Sequence, residues 1–372
     1  MRRLQAIEFA VRSAFQIALV KVFGGPRTVP IPDWRERPYR VLFIRDDGIG
    51  DLIISMEILR AIKESSPTIT LDLLCSPQNA AFGRTLPFVS EVIVHKRGPL
   101  VKAFGTWRQL RRREYDAVID GRVAIGNVNT HTTALLLSTG ARYRIGIAGR
   151  RNDRVYTIPV DAGKPAHWVD YLAALARPFG VEGDARDWRS RLTISDDDRA
   201  AAERTWSKIG PPHRGGGGGR PRVLVNISVG NSERFWQHER YAPVLRRLRE
   251  RLPSATILIS AMPSEQQVAE RLAAPVRGAA IQLSFSEVTA IVATADLVIT
   301  PDTAITHLAS GFQTPTMALM RRDTGPWAPY RTPGRIVYGD IKRRLEPGLP
   351  PERVVAALDE LIAEMGPSRG WI

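Results

Sequence analysis

The sequence has little cysteine and no long apolar run, and both absences narrow the class of protein. Cys75 is the one cysteine among 372 residues, which excludes an internal disulfide framework and leaves no thiol cluster for zinc or an iron–sulfur centre. No stretch approaches the roughly 20 uncharged apolar residues that a membrane-spanning helix needs. Because a lone cysteine fits a reducing compartment, we expect a cytoplasmic protein.

The N-terminal residues 1–38 are apolar but interrupted by charge. Glu8, Arg12 and Lys21 break the apolar run, and no convincing small-residue cleavage site is present, which argues against a secretory signal. Apolar residues nevertheless recur at helical spacing, so we expect an amphipathic extension. Such a helix can lie peripherally on the inner membrane surface. Periodicity alone equally allows a helix packed on the C-terminal domain or a loosely held extension.

The formal net charge of +15 favours anionic partners, which include nucleic acid, anionic lipid headgroups and phosphorylated sugars. The basic residues are spread along the chain, with local runs at 108–113, 142–154 and 342–344. Solvated basic faces are the ordinary interpretation of such runs. No RNA-binding signature or helix-turn-helix motif is found among them, so we do not expect a nucleic-acid partner.

Length and a hydrophobic content of 44% predict two globular domains. A strand–turn–helix–strand rhythm begins with a buried strand at 40–45 and a helix at 51–64, as in a parallel α/β sheet. A segment rich in proline and glycine at 211–220 interrupts this rhythm, which restarts at 223–227. We therefore expect an N-terminal domain over 39–210, a linker at 211–220 and a C-terminal domain over 221–372. The last helix, at 351–365, is expected to brace the first domain.

The first informative loop, 45–51, follows the first predicted strand. Gly48 and Gly50 let a ligand approach the backbone, and the helix start offers unpaired N–H groups. The loop fails the dinucleotide-binding fingerprint, because Ile53 replaces the third glycine and Asp51 would repel a pyrophosphate. It offers instead a carboxylate, Asp51, held at a helix start as a general base requires. The alternative role of Asp51 is to cap that helix.

The loop 226–236 follows the first strand of the second half. Ser228, Asn231 and Ser232 can donate hydrogen bonds there, and Arg234 supplies a fixed positive charge for a departing diphosphate. Taken alone, this segment would pass as an ordinary polar loop.

A further strand of the second half ends near Thr300, and a helix begins at Asp302 and Thr303. Thr303 and the amides that follow can cradle a phosphate at the positive end of the helix. The carboxylate of Asp302 would repel an anion bound there, unless Asp302 caps the turn and so fixes those amides. His307 lies one helical turn further, where it either points at the ligand or packs in the core.

Together these segments resemble, in order and approximate spacing, the ADP-heptose:lipopolysaccharide heptosyltransferase family, glycosyltransferase family 9. The matching motifs are the strand, turn and Gly-Asp at 41–51, Leu-Arg-Ala-Ile-Lys at 59–63, Arg-Ile-Gly at 144–146, His167, Arg-Phe-Trp at 234–236 and Asp-Thr-Ala-Ile-Thr-His-Leu-Ala at 302–309. The resemblance extends over residues 39–365. It implies the GT-B fold, in which two Rossmann-like α/β domains face an interdomain cleft.

The resemblance also implies site residues. It implies no required metal, no cofactor, and a nucleotide-sugar donor held mainly by the C-terminal domain. The catalytic base falls on Asp51. The donor-binding positions are Ser228, Arg234, Glu265, Asp302, Thr303, Ala304 and His307. Independently of the resemblance, we expect an anionic acceptor to bind the basic N-terminal domain, with candidate contacts at Arg45, Gly50, Arg122 and Arg144, together with Arg142 and the run 108–113.

We therefore expect an inverting, metal-independent glycosyltransferase that moves a sugar from ADP-heptose to a lipopolysaccharide core or related anionic saccharide or glycolipid. Ala304 replaces a family glycine, and Glu265 follows a segment that has lost the family's glycines, so a different nucleotide sugar is one alternative. A non-catalytic nucleotide-binding protein of the same fold is another. A nucleic-acid-binding protein would instead show salt-sensitive binding that nucleotide sugars do not affect.

Overall fold

The computed structural model describes residues 2–24, 28–96, 98, 100–122, 126–182, 186–210, 220–342 and 344–372. The chain divides into two compact units, residues 1–188 and 189–372. Within the described residues, no helix is long and apolar enough to cross a membrane.

The first unit contains a six-stranded parallel sheet. Its strands are β1 (Tyr39–Arg45), β2 (Ile69–Cys75), β3 (Glu91–Val94), β4 (Ala117–Asp120), β5 (Tyr143–Ile147) and β6 (Ile158–Val160). Its helices are α1 (Arg2–Phe23), α2 (Ile49–Ser65), α3 (Pro77–Gly83), α4 (Leu100–Arg112), α5 (Thr130–Ser138) and α6 (Trp168–Ala173).

The second unit contains a second six-stranded parallel sheet. Its strands are β7 (Arg222–Asn226), β8 (Thr256–Ser260), β9 (Ala279–Ile281), β10 (Leu297–Pro301), β11 (Thr316–Met320) and β12 (Gly334–Tyr338). Its helices are α7 (Asp196–Ile209), α8 (Tyr241–Arg251), α9 (Gln266–Ala273), α10 (Phe285–Thr294), α11 (Ala304–Phe312) and α12 (Pro351–Arg369).

Both sheets have the strand order of a Rossmann fold. The first runs β3-β2-β1-β4-β5-β6 and the second β9-β8-β7-β10-β11-β12, so each unit repeats the order 3-2-1-4-5-6. In such sheets ligands bind at the carboxyl ends of the two strands where the order reverses. These switch points lie after β1 and β4 in the first unit and after β7 and β10 in the second.

The central strands are buried on both faces, which explains their continuous apolar sequences. Val41, Leu42, Phe43 and Ile44 of β1 have no exposed surface. The strands β7, β8 and β10 are buried along their whole length in the same way. The loops at the switch points therefore rest on rigid strands.

The N-terminal helix α1 packs on its own unit, which corrects two of the arrangements that periodicity allowed. The Gln16 side chain is buried and donates to the Val128 carbonyl oxygen over 2.6 Å. Asn152 donates to Ser13 Oγ over 3.3 Å and to Gln16 Oε1 over 3.1 Å. Because these contacts satisfy a buried amide, the helix is neither a loosely held extension nor a part of the C-terminal domain.

The domain boundary falls earlier than the linker expected at 211–220, of which residues 211–219 lie outside the described part of the chain. Helix α7 belongs to the second unit, because it packs against α10. Its Trp206 donates from Nε1 to Thr294 Oγ1 over 3.0 Å. The last helix, α12, packs on α8 and β12 within the second unit, burying Leu358 and Leu361.

Candidate active site

The loop after β1 is held by a buried arginine. The Arg45 side chain has no exposed surface; its Nε donates to the Asp51 carbonyl oxygen over 2.8 Å and its Nη1 to the Gly121 carbonyl oxygen. Gly121 must be glycine, because a Cβ there would lie 2.1 Å from Phe43 Cε1. Arg45 therefore joins the β1 and β4 loops across the switch point. This burial argues against the direct acceptor contact expected from the sequence.

Asp51 occupies the third position of α2, and Gly50 the second. The Gly48 amide donates to Asp51 Oδ2 over 3.3 Å, and Arg45 Nη2 lies 3.4 Å from Asp51 Oδ1. The carboxylate is therefore fixed on both oxygens while 26% of the side chain stays exposed. It has the capping contact and also the accessibility that a general base requires.

Asn79, which sequence reasoning missed, supports the same loop from α3. Its buried amide donates to the Asp47 carbonyl oxygen over 3.0 Å and to the Gly48 carbonyl oxygen over 3.3 Å. Ser76 Oγ also donates to the Asp47 carbonyl oxygen, over 3.1 Å. The only sequence signal was a polar Ser-Pro-Gln-Asn segment after a buried strand.

Two further carboxylates of this loop lie beside Asp51. Desolvation raises the pKa of Asp47 to about 7; Arg45 opposes this shift, and the charges of Asp51 and Asp46 add to it. The side chain of Asp46 is buried, and its Oδ1 accepts from Arg122 Nη1 over 3.2 Å. The loop thus concentrates negative charge at the end of β1.

The other side of this switch point is a buried charge network after β4. Asp120 accepts from Arg122 Nε and from Arg150 Nη2, each over 3.3 Å, and from Tyr156 Oη over 2.5 Å. Burial alone raises the pKa of Asp120, but the attraction of Arg122 and Arg150 outweighs it, so the pKa lies below its ordinary value. The expected acceptor residue Arg122 is thus nearly buried and paired with Asp46 and Asp120.

Arg144 is the third expected acceptor contact that proves to be buried. Its Nε donates to the Val155 carbonyl oxygen over 2.7 Å, its Nη1 to the Ala141 carbonyl oxygen over 3.1 Å, and its Nη2 to the Gly24 carbonyl oxygen. Burial lowers the pKa of Arg144. The side chain therefore fastens the end of α1 to β5.

At the second switch point, Asn226 and Ser228 form a hydrogen-bonded turn after β7. The Asn226 amide donates to Thr300 Oγ1 over 3.1 Å, which joins β7 to β10. The Met262 amide donates to Ser228 Oγ over 2.7 Å, and that hydroxyl donates to Glu265 Oε2. His238, which sequence reasoning missed, lies with Nε2 3.2 Å from Glu265 Oε1. The structure thus brings Ser228 and Glu265 together.

Arg234 and Asp302 meet across the same switch point. Arg234 Nη1 donates to the Asp302 carbonyl oxygen over 3.1 Å, and its Nε lies 3.5 Å from Asp302 Oδ2. The Asp302 side chain is buried, whereas 36% of the Arg234 side chain is exposed. A cation is therefore fixed beside the start of α11 and remains accessible to a ligand.

Thr303 begins α11. Its Oγ1 accepts from the Ile305 amide over 3.2 Å, and the Thr303 amide donates to Thr306 Oγ1 over 3.4 Å. Ala304 is the first residue of the helix, and His307 is buried at the fourth position. The helix start points its backbone dipole toward the same end of the sheet as Arg234.

A cavity of about 380 Å³ lies in the second unit beside these residues. Ser228, Met262 and Ile305 contribute to its lining, together with Leu283 and Val288. Its walls combine apolar side chains with a few polar groups, as in most nucleotide and small-molecule sites.

Residues 104–343 match the family model described as glycosyltransferase family 9 (heptosyltransferase). The chain is 22% identical to the lipopolysaccharide core heptosyltransferase OpsX of Haemophilus influenzae, over 78% of this chain and 81% of that one. A glycosyltransferase family 9 structure from Veillonella parvula superposes with a TM-score of 0.70 at 16% identity, over 91% of this chain and all of that one. The structure of heptosyltransferase WaaC of E. coli with ADP-2-deoxy-2-fluoro heptose superposes with a TM-score of 0.64 at 18% identity, over 86% of this chain and 99% of that one.

The two α/β units have the GT-B fold that the resemblance implied. The chain belongs to glycosyltransferase family 9, because the family model covers well over half of its length. It is therefore a glycosyltransferase. The matched region begins after the Asp51 loop, so the role of that loop has to be argued from its own geometry.

Proposed function

We propose that this enzyme is an inverting glycosyltransferase that moves a heptose from ADP-heptose to a lipopolysaccharide-core or related saccharide acceptor. The observation that carries this proposal is the contrast between the two switch points. The first presents the fixed, accessible carboxylate of Asp51, and the second presents the fixed, accessible cation of Arg234. We assign the acceptor to the first unit and the donor to the second.

The donor assignment rests on the contacts around α11. Arg234, Thr303 and the first amides of α11 are placed to bind the diphosphate, where charge accumulates as the sugar departs. Glu265 is the proposed partner of the ribose hydroxyls, because Ser228 and His238 already fix its carboxylate. The adjoining cavity is the proposed nucleoside pocket. The similarity to WaaC, whose structure holds an ADP-heptose analogue, supports ADP-heptose as the first donor to test.

The proposed chemical step gives each of these groups one role. Asp51 takes the proton of the acceptor hydroxyl, whose oxygen forms a bond to the anomeric carbon of the donor. The bond from that carbon to the diphosphate oxygen breaks, and ADP leaves with the electron pair. Attack opposite the leaving group in one displacement inverts the configuration. Arg45 acts as a positioning residue, since its Nε donates a hydrogen bond to the Asp51 carbonyl oxygen.

We propose that the donor diphosphate needs no divalent cation. Arg234 and the amides at the start of α11 supply the positive charge that a metal ion would otherwise provide. The carboxylate of Asp302 is buried and directed at Arg234, so it is occupied in holding the cation.

We also propose that the C-terminal half of α1 contacts an anionic membrane surface peripherally. Phe15, Val22 and Phe23 expose 52%, 71% and 67% of their surfaces, although Gln16 anchors the helix. Lys21 and Arg154 line a cavity of about 510 Å³ beside it. Apolar side chains next to basic ones favour anionic lipid.

Vesicle sedimentation tests the proposed membrane contact. The double variant Phe15→Ser/Phe23→Ser should lose binding to anionic vesicles, while sugar transfer to a soluble acceptor continues.

Another nucleotide sugar is the second candidate donor. Ala304 replaces the family's glycine at the start of α11, and residues 260–264 lack the family's glycines, so the fit around phosphate and nucleoside differs from the family pattern.

The test of the proposed function is transfer from ADP-heptose to a core saccharide that lacks the added heptose, with chelator present. Proton NMR of the product should show the anomeric configuration opposite to that of the donor, and ADP should form in equal amount. UDP-, GDP- and dTDP-sugars are the matched alternatives. Retention of configuration, or transfer from none of these donors, would contradict the proposal.

A further inference from the structure

Three side chains with metal-binding atoms converge beside the first switch point. They are Asp46, which follows β1, His95, which follows β3, and His131 in the first turn of α5. His131 Nε2 lies 3.2 Å from His95 Nε2 and 3.4 Å from Asp46 Oδ2. We propose that these three residues bind a divalent transition-metal ion of the Zn²⁺ class, with one coordination position left for water or a ligand.

The spacing of the three atoms fits such an ion. Zinc binds histidine nitrogen at about 2.0–2.1 Å in tetrahedral geometry, which places neighbouring ligand atoms about 3.3–3.4 Å apart. The two separations that involve His131 lie close to this edge length. Asp46 and His95 are almost wholly buried, so two of the three ligands are held within the protein.

The pattern of contacts differs from that of a hydrogen-bonded chain. In such a chain, a histidine uses one ring nitrogen for the carboxylate and the other for the next partner. Here a single atom, His131 Nε2, faces both the carboxylate of Asp46 and the ring of His95. One N–H cannot point at both of them, whereas one ion can accept lone pairs from all three atoms.

The surrounding contacts are those that orient metal ligands. Thr106 Oγ1 lies 3.2 Å from His95 Nδ1, so Nδ1–H can donate to the hydroxyl and leave the lone pair of Nε2 toward the site. Arg122 binds Asp46 through the other carboxylate oxygen, Oδ1. Hydrogen bonds of this kind fix the tautomer and orientation of metal ligands.

Acidic and basic side chains surround the proposed ion. The described residues at this switch point include four carboxylates and three guanidinium groups. They are Asp46, Asp47, Asp51 and Asp120, with Arg45, Arg122 and Arg150. The proposed ion lies in the first unit, whereas the proposed donor contacts lie in the second. Its binding can therefore be measured whether or not the proposed sugar transfer is correct.

The test is a titration of the chelator-treated full-length chain with Zn²⁺ and, separately, with Co²⁺. We expect one equivalent of each to bind, because three preformed ligands converge on one point. His95→Ala and His131→Ala should each weaken binding at least roughly 100-fold, since both remove a ligand atom outright. His167→Asn is the matched control, because His167 caps α6 through Nδ1 in the same unit and asparagine retains that cap.

A second variant keeps the proposal testable if an alanine variant folds poorly. His131→Cys places a thiolate at the partly exposed ligand, and bound Co²⁺ should then show a sulfur-to-cobalt charge-transfer band that the wild type lacks. Cys75 is buried and present in both proteins, so it cannot produce the difference. The proposal is overturned if the folded wild type takes up no stoichiometric metal, if both alanine variants bind as it does, or if His131→Cys shows no new band.

Discussion

The two units share one strand order and differ in the chemistry of their switch points. In the first unit, the loops after β1 and β4 hold an acidic cluster around Arg45 and Arg122, and Asp51 keeps an accessible carboxylate. In the second unit, the equivalent loops place the accessible cation of Arg234 at the start of α11. The topology fixes where each loop lies, and the side chains decide whether the site attracts a proton or a phosphate.

Asp51→Asn is expected to have the largest effect, and it tests the acidic half of this contrast. The amide oxygen can still accept from Gly48 N–H, so the cap survives while the base is lost. The rate of transfer should fall roughly 10²–10⁴-fold, with donor binding unchanged. Steady-state kinetics measure this, with the exposed Asp33→Asn as control. Near-normal turnover would leave Asp51 with its capping role alone.

Arg234→Ala tests the cationic half. We expect transfer to fall roughly 10²–10³-fold, because the charge developing on the departing diphosphate loses its fixed partner. Donor binding should weaken as well, which separates this variant from Asp51→Asn. Arg246→Ala, an exposed residue of α8, is the control. An unchanged kcat/KM would remove Arg234 from the donor site.

Asp120→Asn should destabilise the first unit by about 3–5 kcal/mol, because Arg150 would remain buried without its carboxylate partner and Arg122 would keep only Asp46. The pKa of Asp120 in the folded chain is held below its ordinary value of 3.8. Its stabilisation is therefore present above that value and is lost as the pH falls through the lower folded pKa. Urea unfolding across this acidic range should show a steeper pH dependence for wild type than for the variant.

Glu265→Gln is expected to have the smallest effect of the four. The carboxylate is proposed to bind the ribose, so its loss should raise the donor KM roughly ten-fold with little change in kcat. Glu270→Gln, exposed on α9 nearby, is the matched control. A fall in kcat without a change in KM would contradict ribose binding.

The sequence predicted the parts of the fold that depend on local pattern. The strands predicted at 40–45 and 223–227 are found at Tyr39–Arg45 and Arg222–Asn226, and the α/β class follows from the alternation of strands and helices. The packing of α1 was missed, because the decisive contact is between Gln16 and residues more than a hundred positions away. Helix periodicity does not show which surface a helix covers.

The candidate site was also predicted only in part, because local pattern shows which residues follow a strand but not which side chains the tertiary fold buries. Asp51, Arg234 and Thr303 lie in the connections that follow strands, so they could be placed at one end of a sheet. Arg45 and Arg144 were expected to contact the acceptor, but both are buried against carbonyl oxygens. A basic residue in an apolar strand gives no sequence signal that separates these roles. Asn79, His95 and His131 were missed because only the tertiary fold brings them to the loop after β1.

The most direct test of the contrast between the units is the thermal shift that ADP-heptose induces in the wild type, Asp51→Asn and Arg234→Ala. A ligand that binds the folded chain raises its melting temperature by mass action. We predict a clear shift in the wild type, the same shift in Asp51→Asn, and little or none in Arg234→Ala. A shift that disappears in Asp51→Asn but persists in Arg234→Ala would show that the two switch points have been assigned the wrong way round.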